Sequence, residues 1–181
     1  MVARDRGKRS IGIDQIGFIT RVLILFEMTD CQKRSTLMEI GYKPHALHAQ
    51  EQCFDSRMYQ KAIGSILYAA PGTGPDVTYA TPVFGRYAEQ PSILHWEAMK
   101  HLLRYLQGTC DCKLTIYAPS LGRDSQSIVS YVDADFVGEA DRSTSTSRIV
   151  VHAIGTLLNW NSKQQSTVAQ STMEAEMIAT V

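Results

Sequence analysis

Apolar positions along this chain recur at steps of three and four residues through most of the first two thirds and alternate through most of the last third. Ile16, Ile19, Leu23 and Phe26 fall on one face of a helix, which the polar stretch Thr29 to Arg34 ends. Three further helices are predicted. Ser56 to Ala70 buries Tyr59, Ile63, Ile66 and Leu67; the Pro71 to Pro75 segment breaks it, and Pro75 suits the first turn of the next helix, Asp76 to Tyr87. Ile93 to Gln107 sets Trp96, Met99, Leu103 and Leu106 on one face, with Gly108 as a stop. From Ser35 to about Asp55 the periodicity is lost, and Gly41 and Pro44 mark an extended linker.

Residues 2 to 15 read as a hairpin, with Asp5 to Arg9 as a polar turn before the Ile11-x-Ile13 alternation. Strand patterns return at Lys113 to Tyr117, Ile128 to Phe136, Arg148 to Ala153 and Thr156 to Asn161, separated by turn-rich pieces at Gly138 to Ser147 and at Gly155. From about Val168 the pattern is helical again. The fold class is therefore α+β, a helical N-terminal part joined near residues 108 to 112 to a sheet-plus-helix C-terminal part. No internal repeat is present.

Composition narrows the function classes. The 181 residues, 44% hydrophobic, suffice for one ordinary domain or two small ones. Eighteen basic residues balance eighteen acidic ones, so attraction to nucleic acid has to come from a local patch and not from a global field. Four scattered cysteines, Cys31, Cys53, Cys110 and Cys112, without a secretory signal point to reduced thiols and an intracellular, cytoplasmic or nuclear, location. No apolar run approaches the ~20 residues that span a bilayer, so no membrane is expected.

Two acids carry the candidate chemistry. Asp133 stands near the end of an alternating apolar run and Glu176 on a short helical pattern. A carboxylate on a central strand beside another on a packed helix can hold divalent metal ions for phosphodiester hydrolysis. Plain surface charge is the competing reading, and spacing alone does not decide between them. Lys100 and Arg104, one turn apart, could touch nucleic-acid phosphates, with Arg142, Lys163 and the Arg4 to Arg9 cluster extending the track; a solvated helix face explains them equally. His45-x-x-His48 with Cys53 lacks a fourth ligand for structural zinc, and Cys110-Asp111-Cys112 reads as unrelated thiols.

Resemblance adds what spacing cannot. The runs Tyr59 to Tyr68, Gly74 to Ala80, His95 to Lys100 and Leu103 to Thr109 resemble the region between reverse transcriptase and RNase H in copia-type retrotransposon polyproteins. Tyr131 to Phe136, the Ser145-Thr146-Ser147 tripeptide, Trp160 to Val168 and Glu174-Ala175-Glu176 resemble the start of that family's RNase H domain, in order and approximate spacing. Arg4 to Gln15 and Phe26 to Cys31 resemble the end of the polymerase palm and the thumb.

The resemblance implies a helical thumb and connection segment followed by a truncated RNase H-like mixed sheet of three antiparallel strands and a first helix. It divides the chain into 1–55 (palm end, thumb and linker), 56–110 (helical connection) and 111–181 (RNase H-like). It makes Asp133 and Glu176 catalytic metal ligands, Mg²⁺ the metal and an RNA–DNA hybrid the partner.

Departures qualify this. Arg148-Ile149 stands where the family has Gly-Tyr, Gly74 where it has a basic residue, and Phe136 where it has Trp. The family's later acids lie beyond Val181 and its polymerase site before Met1, so the expectation is a fragment inactive alone. The alternatives are a ribonuclease H completed by a partner polypeptide and a non-catalytic nucleic-acid-binding module. An open sheet edge is also expected, with aggregation or partial disorder in the C-terminal part.

Overall fold

The computed structural model describes residues 1–118, 128–135 and 144–180. Helices and antiparallel sheets together make the protein α+β, and the chain forms two units. Gln15–Cys112 is helical; Val2–Asp14 and Lys113–Val181 make up the other, which is mostly strands.

The helical unit contains α1 (Ile16–Leu25), α2 (Ser56–Thr73), α3 (Ala80–Gly85) and α4 (Ile93–Thr109). Its core is large and apolar: Leu23, Tyr59, Ile66, Phe84, Met99 and Leu102 are all almost fully buried. The predicted faces of α1, α2 and α4 supply most of these side chains, with Leu67 as an exception that points outward. Local chemistry sets the ends. After α1, Glu27 adopts φ 56° and the Met28 amide donates to the Leu23 carbonyl at 2.8 Å, a helix-ending turn of Schellman type. Asp55 caps α2 by accepting from the amides of Arg57 and Met58, and Ser92 forms a capping box with His95 on α4.

Three predicted boundaries move in this unit. Pro71 does not break α2, which runs on to Thr73. The hydrogen bond lost at a helical proline is the one to the carbonyl four residues back, here that of Leu67, a residue 56% exposed. The next helix is short. Only Ala80–Gly85 is regular, because Pro82 has no N–H to give to Thr78; turns occupy residues 76–79. Gly108 lies inside α4 and not after it: a Cβ there would come within 3.2 Å of the Arg34 carbonyl oxygen, so this glycine permits close approach of the linker.

In the other unit, β1 (Val2–Asp5) and β2 (Ser10–Ile13) form the predicted hairpin, whose turn is held by the Lys8 amide donating to Asp5 at 3.0 Å. Its third strand is β3 (Leu114–Tyr117), antiparallel to β2. The second sheet has the order β4 (Ile128–Asp135), β5 (Thr146–Ala153), β6 (Thr156–Gln164), all antiparallel. Between β5 and β6 the loop is two residues, Ile154 and Gly155, with φ 55° and 72°, the pattern of a type I′ turn. The last helix, α5 (Thr172–Ala179), begins four residues later than the pattern predicts, because Ser171 is extended (φ −151°) and caps it. It packs on β4 and β5 through a small core of Ala134, Ala169 and Ala175, flanked by Ile178 and Ala179.

Candidate functional site

Register builds the site. Asp133 of β4 stands directly opposite Arg148 of β5, and Asp135 opposite Thr146. Cross-strand partners share a face, as do residues two apart on one strand, so Asp133, Asp135 and Arg148 project together. One nitrogen of the guanidinium, Nη1, donates to Asp133 Oδ2 at 3.0 Å, and Nη2 donates to Asp135 Oδ2 at 3.2 Å. The three side chains are a third or more exposed, where such pairs contribute ~1 kcal/mol or less each.

Glu176 arrives from α5, against the face that Ala134 presents. Its Oε1 accepts from the Ala134 amide at 3.3 Å, one residue beyond Asp133. Glu174, the neighbouring acid, works at the helix start instead. Its Oε2 accepts from the Gln170 amide at 2.7 Å, and its own amide donates to Ser171 Oγ at 3.2 Å. Gln165 ties the same region together, donating to Ser147 Oγ and to the Ala175 carbonyl.

Glu176 thus reaches the residue next to Asp133, but successive strand residues face opposite ways, so the Asp133 side chain lies with Arg148 on one face and Glu176 comes from α5 on the other, each with a different partner. Magnesium takes about six oxygen donors in a near-octahedral shell. Here Asp133 Oδ2 holds a guanidinium and Glu176 Oε1 a backbone amide. Among the described residues no group of three or more His, Cys, Asp or Glu side chains is placed to hold a metal ion. As the side chains stand, they do not fit the ion that the resemblance implies, because Arg148 already supplies the positive charge.

The predicted basic residues are scattered. Lys100 pairs with Glu97 at 2.5 Å on α4. Arg104 lines a pocket of about 350 Å³ with Glu39, Tyr42, His45 and Glu97. Lys163 is exposed on β6, opposite Ser147, and belongs to the other unit. Arg142 and Phe136 lie outside the described residues. A more concentrated positive surface comes from the first sheet: Arg4, Arg6 and Arg9 line a groove of about 630 Å³ with Ile11, Ile116 and Tyr117. The arginine cluster is visible in the sequence, but its tyrosine wall exists only because β3 pairs with β2.

His45 and His48 stack at 4.8 Å, and His45 Nε2 lies 2.8 Å from Glu51 Oε1. That hydrogen bond, with a second from the His48 amide, holds the Glu51 carboxyl below its ordinary range. Burial raises the Tyr59 phenol, whose hydroxyl donates to the Phe84 carbonyl at 3.2 Å. Burial also raises Tyr105, and its hydrogen bond to Asp76 adds to the shift.

Helices and two antiparallel sheets, with acids on β4 and on α5, define an α+β protein. Known proteins then place it. It is 34% identical over 98% of its length to the retrovirus-related Pol polyprotein from transposon TNT 1-94 of Nicotiana tabacum, covering 13% of that protein. It is 35% identical over 72% of its length to the Pol polyprotein from transposon RE2 of Arabidopsis thaliana, covering 9%. It is also 36% identical over 67% of its length to the secreted RxLR effector protein 161 of Plasmopara viticola, covering 82% of that protein. The chain belongs to the family of retrovirus-related Pol polyproteins from copia-type transposons. It spans only a small part of the length of those polyproteins. No family profile matches the chain, and no solved structure does.

Proposed function

We propose that this chain is the stretch of a copia-type Pol polyprotein that runs from the end of the reverse transcriptase into an RNase H-like domain. The β4-β5-β6 sheet with α5 represents the beginning of that domain, and Asp133 and Glu176 its first two carboxylates. The observation that carries this reading is the placement of Glu176 against the Ala134 amide, next to Asp133 on the first strand of the sheet. Its ancestral reaction is two-metal hydrolysis of the RNA strand of an RNA–DNA hybrid, with Mg²⁺ as the metal. The present chain is expected not to run that reaction unaided, because among the described residues no third acid joins Asp133 and Glu176, and the guanidinium of Arg148 engages Asp133.

The test is incubation of the purified protein with an RNA–DNA hybrid and Mg²⁺. No specific cleavage is expected. Cleavage abolished by Asp133→Asn would overturn the inactive reading and establish a ribonuclease. Activity that emerges only with a second polypeptide would mark a site completed by a partner.

A second reading draws on the arginine groove. Three guanidinium groups beside an exposed tyrosine suit a nucleic-acid backbone with a stacked base, and they make the chain a binding module without turnover. Hybrid binding that weakens as salt rises, and weakens further in Arg4→Ala/Arg6→Ala, is its expected signature. A folded sample that ignores nucleic acid at low salt removes this reading.

A further inference from the structure

We propose that Arg148 is a resident cation: its guanidinium occupies the place beside Asp133 that a divalent ion would take, and closes Asp133 and Asp135, the two acids on that strand face, to metal. The inference rests on reading Asp133 as the strand carboxylate of an RNase H-like site.

Geometry makes the contact intrinsic to the sheet. Asp133 and Arg148 are register partners across β4 and β5, so the backbone itself delivers the guanidinium to the carboxylate. Two different nitrogens engage two different acids, Asp133 at 3.0 Å and Asp135 at 3.2 Å. Withdrawing the group leaves two like charges two residues apart on one strand face, a repulsion the arginine removes. The residue type matters as much as the place. A glycine at this position would have no side chain to set over Asp133. Arginine fills that space with a charge that stays protonated at any physiological pH.

A metal ion and a guanidinium compete for the same carboxylate oxygens. Metal binding therefore has to displace Arg148, and the apparent affinity falls by the fraction of molecules in which the arginine is withdrawn.

The experiment uses the full chain and manganese as the probe, following free Mn²⁺ by electron paramagnetic resonance. Arg148→Gln is expected to bind Mn²⁺ about ten-fold or more tighter than the parent chain, with Arg148→Lys between them. Adding Asp133→Asn to Arg148→Gln should erase the gain. A thermal readout runs in parallel: at low salt Arg148→Gln melts below the parent, and Mn²⁺ raises its midpoint but not the parent's.

Equal affinity in parent and Arg148→Gln overturns the proposal, as does a gain that survives Asp133→Asn. Should the variant fail to fold, the parent alone decides. Its Ala134 amide resonance is expected to stay sharp in excess Mn²⁺, and broadening at stoichiometric Mn²⁺ sinks the idea. Hybrid binding is measured separately. A variant that gains Mn²⁺ but ignores an RNA–DNA hybrid upholds the resident cation and removes the hybrid reading; one that binds hybrid without gaining Mn²⁺ does the reverse.

Discussion

The two units bury very different things. In the helical unit the core is built from Tyr59, Ile66, Phe84, Met99, Leu102 and Leu103, whereas the β4-β5-β6 sheet and α5 share a core of Ala134, Ala169 and Ala175. Meanwhile Tyr131, Leu158, Met173 and Met177 of the second unit are more than half exposed. Stabilisation scales with apolar area removed from water, at roughly 25 cal/mol per Å², so three alanine methyls contribute far less than a cluster of aromatic and branched side chains. The lesson is that a regular hydrogen-bonded sheet does not by itself imply a stable one. This sheet has an unbroken register over eight residue pairs between β4 and β5, yet among the described residues only a small alanine core lies behind it.

The largest effect that can test this contrast lies in the helical core. Phe84→Ala removes a fully buried ring and is expected to cost about 3–5 kcal/mol, read by urea denaturation. Amide exchange in the β4-β5-β6 sheet should be little changed; if it accelerates equally, the two cores melt as one and the contrast fails. Ala175→Leu comes next. The site is completely buried between α5 and the sheet, so added volume should cost about 1–3 kcal/mol, visible as faster exchange in α5 and β4. A stabilised variant would mean that the alanine core is underfilled and not tightly packed.

Asp55→Ala has a smaller expected effect. It removes the cap on the amides of Arg57 and Met58 and should lower the stability of the helical unit by about 1 kcal/mol. The smallest effect is a pH dependence in the linker. The lowered Glu51 pKa means that its contribution is complete above the ordinary value of 4.5 and is lost as pH falls through the lowered one. The His45 and His48 ring resonances should report the change in that acid window, and Glu51→Gln should abolish it.

What the sequence disclosed follows the same division. Periodicity identified α1, α2 and α4 and most of their buried faces because burial on one side of a helix leaves a repeated imprint. Alternation likewise located all three strands of the second sheet. It could not tell that β3 joins the hairpin formed by β1 and β2, since pairing across a hundred residues leaves no local pattern. Pro71 and Gly108 misled for a different reason. Their meaning depended on whether Leu67 faces water and whether the linker passes close by, both facts of packing. At the site, Asp133, Glu176 and the odd residue Arg148 were each visible, but their mutual arrangement was not. Only the register shows that the departure sits on the carboxylate.

The turn between β5 and β6 bears on the order in which the sheet forms. A type I′ turn favours asparagine followed by glycine, but its first position here is Ile154, a β-branched residue at φ 55°. Such a turn resists closing early and cannot serve as the seed of its own hairpin. Folding of β5 and β6 is expected to start from side chains that meet across the strands, such as Val150 and Trp160, and to proceed toward the loop. The chain reversal is then expected to be the last piece of the hairpin to settle, pulled into shape by strands that have already found each other.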